Sequence, residues 1–200
     1  MEDLFERIRL GACVVYPTST LPALGCIPET KSLDILYKIK GRDYSKPVSI
    51  GVVDLEQASE IAEIPSDVSE IIGDFPDGSL TIILKSKFEL DKRLGGRKVA
   101  LRVVSNPIAK KLLREVGPLT ATSANLSGYA PNNFCDEAAR ILSSGPYPVI
   151  SAGGECTGGV PSTLIAWHTV CDTPDSPYIE VVREGKVSRK DVLNWWQKRI

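Results

Sequence analysis

The stretch Lys38-Ile39-Lys40-Gly41-Arg42-Asp43-Tyr44-Ser45-Lys46-Pro47 carries four cations over nine residues, at the point where a helical pattern stops. Upstream, apolar residues recur at helical spacing, and Gly41 can end the helix because glycine takes positive φ without steric cost. Downstream, residues 47–53 alternate and are β-branched, which is typical of a strand. The stretch therefore predicts a basic turn that joins a helix to a strand.

This basic turn has two interpretations. A helix C-terminus repels anions, so the side chains of Lys40 and Arg42, which we expect to point outward, would have to hold a negatively charged ligand. Cations in the last turn of a helix also favour its dipole, and most charge clusters are solvated faces. The stretch alone leaves both interpretations open.

The composition predicts one globular domain, residues 1–200. The chain has 200 residues and 42% hydrophobic content, which is ample for a buried core. Its 24 basic and 25 acidic residues nearly cancel, so any site for a polyanion must be local. The acidic N-terminus does not resemble a secretory signal, and no apolar run approaches the length of a membrane span. We expect a cytoplasmic protein with no membrane contact.

The chain contains five widely spaced cysteines, namely Cys13, Cys26, Cys135, Cys156 and Cys171. No pair has the close spacing of a zinc site or a redox motif, so they are predicted to be reduced thiols, mostly buried. His168 is the only histidine. Catalysis by a Cys/His pair is therefore disfavoured, and no metal-binding residue is predicted.

Periodicity predicts helices and strands in mixed order. Amphipathic patterns indicate helices over residues 2–11, 30–40, 55–61, 68–75, 108–116, 136–142 and 189–198. β-Branched runs indicate strands over residues 12–16, 48–53, 79–85, 99–104, 148–151, 164–167 and 178–183. A Pro/Asp-rich turn separates the last two strands. Several pairs look hairpin-connected, which predicts an α/β (α+β) fold, a twisted open mixed sheet of about seven strands with flanking helices, rather than full Rossmann winding.

Three polar loops are predicted to follow strands. The hydroxyls of Thr18-Ser19-Thr20 either satisfy their own turn or bind a ligand carboxylate or phosphate. Residues 119–128 offer short donors and acceptors that can wrap a nucleotide, although a Ser/Asn-rich turn would use the same residues to cap the next element. The glycine-rich loop 152–163 lacks Walker spacing.

In this order the stretches resemble the YrdC/Sua5 family, the threonylcarbamoyl-AMP synthases of tRNA modification, over nearly the whole chain. The resemblance is carried by Tyr16-Pro17-Thr18, Ile39-Lys40-Gly41-Arg42 with Lys46-Pro47, Leu80-Thr81, Leu101-Arg102-Val103, Thr122-Ser123-Ala124-Asn125-Leu126-Ser127-Gly128, Pro161-Ser162-Thr163-Leu164 and Val182-Arg183-Glu184-Gly185. The family's Lys-x-Arg pattern, followed far downstream by Ser-x-Asn, falls on Lys40, Arg42, Ser123 and Asn125. The length resembles the short, single-domain YrdC form.

The resemblance implies a large basic cavity and a reaction that joins L-threonine, bicarbonate and ATP, with Mg²⁺, into threonylcarbamoyl-adenylate and pyrophosphate. It implies catalytic roles for Lys40 and Arg42. It further implies that substrate or nucleotide is bound by these two residues and by Thr18, Thr20, Thr81, Arg102, Thr122, Ser123, Asn125, Ser162 and Arg183. A downstream threonylcarbamoyl-transferase complex would use the product, and contact with tRNA is a further hypothesis.

The chain departs from the family pattern in its first loop. Family members usually read Thr-Glu-Thr-x-Tyr-Gly-Leu-Gly, whereas this chain reads Thr18-Ser19-Thr20-Leu21-Pro22-Ala23-Leu24-Gly25, without the acid and the aromatic. The histidine that often follows the Lys-x-Arg turn is also missing. We expect a looser amino-acid pocket in which serine competes with threonine. The alternatives are an RNA- or nucleotide-binding module without turnover, and a related carbamoyl- or acyl-adenylate-forming enzyme.

Overall fold

A mixed β-sheet is the centre of the computed structural model, which describes residues 2–168 and 178–199. In that part of the chain the strands are β1 (Cys13–Tyr16), β2 (Ala23–Gly25), β3 (Ser49–Val52), β4 (Leu80–Lys85), β5 (Lys98–Val103), β6 (Leu119–Ser123), β7 (Val149–Ser151), β8 (Thr163–His168) and β9 (Tyr178–Arg183). The helices are α1 (Glu2–Arg9), α2 (Thr30–Lys40), α3 (Leu55–Ile61), α4 (Ser66–Asp74), α5 (Pro107–Val116), α6 (Cys135–Leu142) and α7 (Arg189–Gln197). Cys171 and the expected Pro/Asp-rich turn lie outside the described residues.

The described strands lie in the order β7-β1-β2-β6-β3-β5-β4-β8-β9. The pairs β1/β7, β3/β5 and β4/β8 are parallel, and the other five neighbouring pairs are antiparallel. This arrangement confirms the predicted mixed sheet with flanking helices. It differs from a doubly wound fold, whose sheet is mostly parallel.

The sheet has two strands more than the seven that the sequence predicts. Strand β2 has three residues, too few for an alternating pattern to be visible. Strand β6 falls in the stretch 119–128, and the prediction of a loop there is wrong for the first five residues. Thr120 pairs with Ile50 of β3, and Thr122 pairs with Leu24 of β2, so their β-branched side chains occupy a central strand.

One face of the sheet carries large aliphatic side chains. Ile50 pairs with Leu101, Leu101 with Ile82, and Ile82 with Ile165, so the four lie side by side. All four are buried. Helices α2, α3, α4, α6 and α7 add apolar residues to the same cluster. This face therefore forms the larger part of the core.

The opposite face is only partly covered. Helices α1 and α5 bury a smaller apolar cluster there, which includes Tyr16 and Leu119. Beside this cluster the strands present small residues, such as Ser49, Gly51 and Ala100. They lie on this face because successive residues of a strand point to opposite faces. The small side chains leave room for a cavity on this face.

Thr163, at the start of β8, is hydrogen-bonded to the segment that follows β9. Its buried hydroxyl donates to the carbonyl oxygen of Val187 (2.5 Å) and accepts from the N–H groups of Gly185 and Val187 (both 3.0 Å). Gly185 lies so close to the other chain segment that a Cβ atom there would be 2.2 Å from the carbonyl oxygen of Pro161. Both contacts fix the position of Ser162 relative to Arg183.

We expect Gly185→Ala to lower the free energy of unfolding by about 1–3 kcal/mol, because the added methyl group overlaps the backbone of Pro161 and Ser162. Chemical denaturation measures this change. Gly73→Ala is the matched control, since Gly73 lies in α4 with open space around it. Alanine there should raise stability by about 0.5–1 kcal/mol. Equal stability of Gly185→Ala and wild type would contradict the close packing.

Candidate functional site

A cavity of about 320 Å³ lies on the open part of the second sheet face. Strands β2 to β6, β8 and β9 contribute to its wall, together with the turns beside them. Of the described residues that line it, none is acidic, and three are arginines, Arg42, Arg102 and Arg183. The cavity is therefore suited to a ligand with several negative charges.

Nine of the eleven residues predicted to bind substrate or nucleotide line this cavity, namely Thr20, Arg42, Thr81, Arg102, Thr122, Ser123, Asn125, Ser162 and Arg183. The fold brings them together from distant parts of the chain. Thr18 and Lys40 are not part of the wall. The roles of all eleven in binding stay predictions.

The wall also contains residues for which no binding role was predicted, among them Pro22, Ala23, Ser49, Ala100 and Ala121. Ser49 is the polar one, and its hydroxyl donates to the carbonyl oxygen of Ala121 (2.7 Å). The alternation in Ser49-Ile50-Gly51-Val52 is the signal that could have indicated it. It places Ser49 on the face opposite to the buried Ile50.

Arg102 lines the cavity from β5 and is 8% exposed. Its Nε donates to the carbonyl oxygen of Gly78 (3.0 Å), and its Nη2 donates to the hydroxyls of Ser19 (3.2 Å) and Thr20 (3.0 Å). Burial lowers its pKa, and the charge of Arg183 adds to this effect, yet a guanidinium stays protonated in proteins. No salt bridge to a described carboxylate compensates this charge, so an anion in the cavity would be attracted to it.

Arg42 is held at the cavity by the basic turn itself. Its Nε donates to the carbonyl oxygen of Lys46 (2.9 Å), and its Nη2 to that of Pro47 (3.0 Å). The hydroxyl of Tyr37 donates to the same Lys46 oxygen (2.8 Å). The turn thus folds back on the guanidinium and orients it.

Arg183 reaches the cavity from the end of β9. Its Nη2 donates to the carbonyl oxygen of Ser162 (2.8 Å), and the hydroxyls of Ser162 and Thr81 are 2.7 Å apart. Burial lowers the pKa of Arg183, and the nearby charge of Arg42 lowers it further. Because the two guanidiniums repel each other, an anion close to both would stabilise their charged forms.

The first polar loop divides its hydroxyls between the turn and the cavity. The hydroxyl of Thr18 donates to the carbonyl oxygen of Leu21 (2.7 Å) and accepts from the N–H group of Thr20 (3.2 Å). Thr18 is therefore used by its own turn, as one of the two interpretations has it. Thr20 lines the cavity and accepts from Arg102.

Lys40 does not point outward, and that prediction is wrong. The residue is 2% exposed, and its Nζ donates to the carbonyl oxygens of Ser123 (2.5 Å) and Asn125 (2.6 Å). Burial lowers the pKa of Lys40 to about 8, and the charge of Arg42 adds to this effect. The side chain turns inward because carbonyl groups far along the chain bind the ammonium group.

The Ser-x-Asn segment leaves the sheet at the cavity wall. Ser123 ends β6 and is exposed there, whereas Asn125 lies in the following turn. The amide nitrogen of the Asn125 side chain donates to the carbonyl oxygens of Leu126 (2.9 Å) and Tyr129 (2.7 Å). Asn125 thus stabilises the turn through its side chain and also lines the cavity.

The described cysteines Cys13, Cys26, Cys135 and Cys156 are free and buried, which confirms the prediction for these four. His168 stacks on Tyr178 and is not part of the cavity wall. Residues 2–168 and 178–199 contain no cluster of three or more His, Cys, Asp or Glu residues arranged to hold a metal. In the same ranges, every helix is too short or too polar to cross a membrane.

The open mixed sheet with flanking helices defines a mixed α/β protein, and its cavity is lined by three arginines. The model of the Sua5/YciO/YrdC family, described as "Telomere recombination", matches residues 6–185. The chain belongs to this family.

Individual relatives agree with this assignment. A putative threonylcarbamoyl-AMP synthase of Methanocaldococcus jannaschii is 34% identical over 167 residues, which are 82% of this chain and 79% of the relative. The crystal structure of P. abyssi Sua5 complexed with L-threonine has a TM-score of 0.79 at 28% identity, over 96% of this chain. The chain spans only 56% of that protein's length. E. coli YciO has a TM-score of 0.76 at 29% identity, over 94% of this chain and 90% of its own.

We expect Arg42→Ala to weaken the binding of inorganic tripolyphosphate. A charge-assisted hydrogen bond contributes about 1.5–3 kcal/mol, which corresponds to a roughly 10- to 150-fold higher Kd. Isothermal titration calorimetry measures the change. The matched control is Arg97→Ala, which removes an arginine with a 74% exposed side chain from outside the cavity and should change Kd less than about twofold. Equal Kd values for Arg42→Ala and wild type would contradict the role of Arg42.

Proposed function

We propose that the protein is an L-threonylcarbamoyladenylate synthase, a nucleotidyltransferase that makes threonylcarbamoyl-AMP and pyrophosphate from L-threonine, bicarbonate and ATP. The observation that carries the proposal is the set of three guanidiniums in a cavity wall whose described residues include no acid. The substrates bring a triphosphate and carboxylates to one site, so they need this concentration of positive charge. The names of the relatives and the L-threonine bound to P. abyssi Sua5 support the same activity.

The proposed reaction needs no nucleophile from the protein. The amino nitrogen of L-threonine attacks the carbon of bicarbonate, and a carbamate forms with loss of water. A carbamate oxygen then attacks the α-phosphorus of ATP, while the bond from that phosphorus to the β-phosphate oxygen breaks and pyrophosphate leaves. The protein contributes position and electrostatic stabilisation, which suits a site whose described residues contain no Cys/His pair.

The cavity residues divide into two groups in this proposal. Arg42, Arg102 and Arg183 neutralise the phosphates and the carbamate, since each is oriented by carbonyl or hydroxyl oxygens and keeps its charge. Six of the other polar residues of the wall hydrogen-bond the nucleotide and the amino acid, and they are Thr20, Thr81, Thr122, Ser123, Asn125 and Ser162.

Magnesium would enter as part of the ATP substrate. The described residues of the wall provide hydroxyl oxygens but no carboxylate, so they do not form a binding site for the ion by themselves. Phosphate oxygens and water would supply its ligands.

The amino acid would meet a wall that includes Pro22 and Ala23. These residues stand where the family usually has an aromatic side chain and glycine, so the contact with the methyl group of threonine is expected to be looser. The product is a reactive mixed anhydride, which a threonylcarbamoyl-transferase complex would use to modify tRNA.

The assay for this function supplies MgATP and bicarbonate with L-threonine, with L-serine or without an amino acid. We expect pyrophosphate and threonylcarbamoyl-adenylate with threonine. Serine should also react, with a kcat/KM only about tenfold lower, because a loose contact with the missing methyl group puts the discrimination at the low end of the range for one methyl group. Mass spectrometry identifies the adenylate, and a coupled assay measures pyrophosphate.

Product in none of the three reactions would overturn the proposal and favour a nucleotide- or RNA-binding module. An adenylate formed without any amino acid would favour a related carbamoyl- or acyl-adenylate-forming enzyme.

A further inference from the structure

Lys40 is bound at both its side chain and its main chain to one turn, which comprises residues 123–127. Its Nζ donates to the carbonyl oxygens of Ser123 and Asn125, and its own carbonyl oxygen accepts from the N–H group of Ser127 (2.9 Å). Gly41 follows in the left-handed conformation and ends α2 at this point (φ 56°). The end of the helix and the turn are therefore one hydrogen-bonded unit.

The ammonium group of Lys40 holds together two groups that would otherwise repel each other. The carbonyl oxygens of Ser123 and Asn125 both lie within 2.6 Å of Nζ, so two partial negative charges converge at one buried point. No acidic side chain among residues 2–168 and 178–199 forms a salt bridge with Lys40. Its positive charge therefore stabilises the close approach of these two carbonyl groups.

The wall of the cavity excludes Lys40 but includes the residues that it binds. Ser123 and Asn125 line the cavity, as does Arg42, two residues after Lys40. We propose that Lys40 is a positioning residue, whose ammonium group fixes the backbone of the turn 123–127 so that Ser123 and Asn125 meet the ligand, and that it does not contact the ligand itself. The identity of the ligand as ATP rests on the proposed function, whereas the contacts of Lys40 do not.

The first test uses the wild-type protein and an amine-acetylating reagent. We expect Lys40 to react at least tenfold more slowly than Lys38, which lies on the same turn of α2 and is exposed. The difference should be the same with and without a non-hydrolysable ATP analogue. Rapid acetylation of Lys40 in the free protein, followed by protection when the analogue binds, would overturn the proposal.

The second test compares Lys40→Met with the control Lys38→Met, both without ligand, by amide hydrogen exchange measured residue by residue with NMR. The N–H groups of Asn125 and Ser127 are hydrogen-bonded within the unit. They should exchange at least tenfold faster in Lys40→Met and at the wild-type rate in Lys38→Met. Unchanged exchange in a folded Lys40→Met protein would contradict the positioning role.

The third test is a double-mutant cycle on the Kd of the ATP analogue. Lys40→Met should raise Kd about tenfold in the wild-type background, but less than twofold when Ser123→Ala and Asn125→Ala are already present, because Lys40 acts through these residues. A tenfold effect in both backgrounds would indicate direct contact and overturn the proposal.

The three tests separate the two proposals. If the analogue does not bind the wild-type protein, the proposed function fails, while acetylation of the free protein and hydrogen exchange still decide the role of Lys40. If Lys40→Met does not fold, acetylation of the wild-type protein decides it.

Discussion

The alternation of side chains along the central strands is the constraint on which the rest of the structure depends. The residues that point to one face of the sheet, such as Ile50 and Leu101, form the main core together with five helices. The residues that alternate with them, such as Ser49, Ala100 and Arg102, point to the opposite face, and the space above these small and polar residues is the cavity. A slip of one residue in the pairing of β3 with β5 would exchange the two faces, so the same register that builds the core also places the site.

The way in which each arginine is held separates the cavity from the scaffold. Arg42, Arg102 and Arg183 donate to carbonyl or hydroxyl oxygens, which orient a guanidinium without cancelling its charge. Arg93, by contrast, pairs with the carboxylates of Asp91 (2.6 Å) and Asp34, and these two partners raise its pKa. Arg93 thus supports the fold, whereas the other three leave positive charge directed at a ligand. Preorganised charge of this kind stabilises a transition state without reorganisation during the reaction.

Local signals in the sequence predicted much of the fold, whereas most of the polar residues of the cavity wall were predicted through the family resemblance. The basic turn at Arg42 follows a clear helix stop, whereas Arg102 was indicated by the family pattern Leu101-Arg102-Val103. Strand β6 could not be predicted in this way, since its small hydroxyl residues suit a turn as well as a strand, and only its pairing with β2 and β3 decides between them. The inward direction of Lys40 was equally hidden, because the carbonyl oxygen of Ser123 that binds it lies 83 residues further along the chain.

The measurement that tests this account most directly is a crystal structure with a non-hydrolysable ATP analogue, Mg²⁺ and L-threonine bound. We expect the triphosphate to lie in the cavity, with its oxygens about 2.7–2.9 Å from the guanidinium nitrogens of at least two of Arg42, Arg102 and Arg183. We also expect Lys40 to keep its bonds to the turn 123–127 and to make none to the ligand. A triphosphate bound outside the cavity, with all three arginines free of it, would contradict the account.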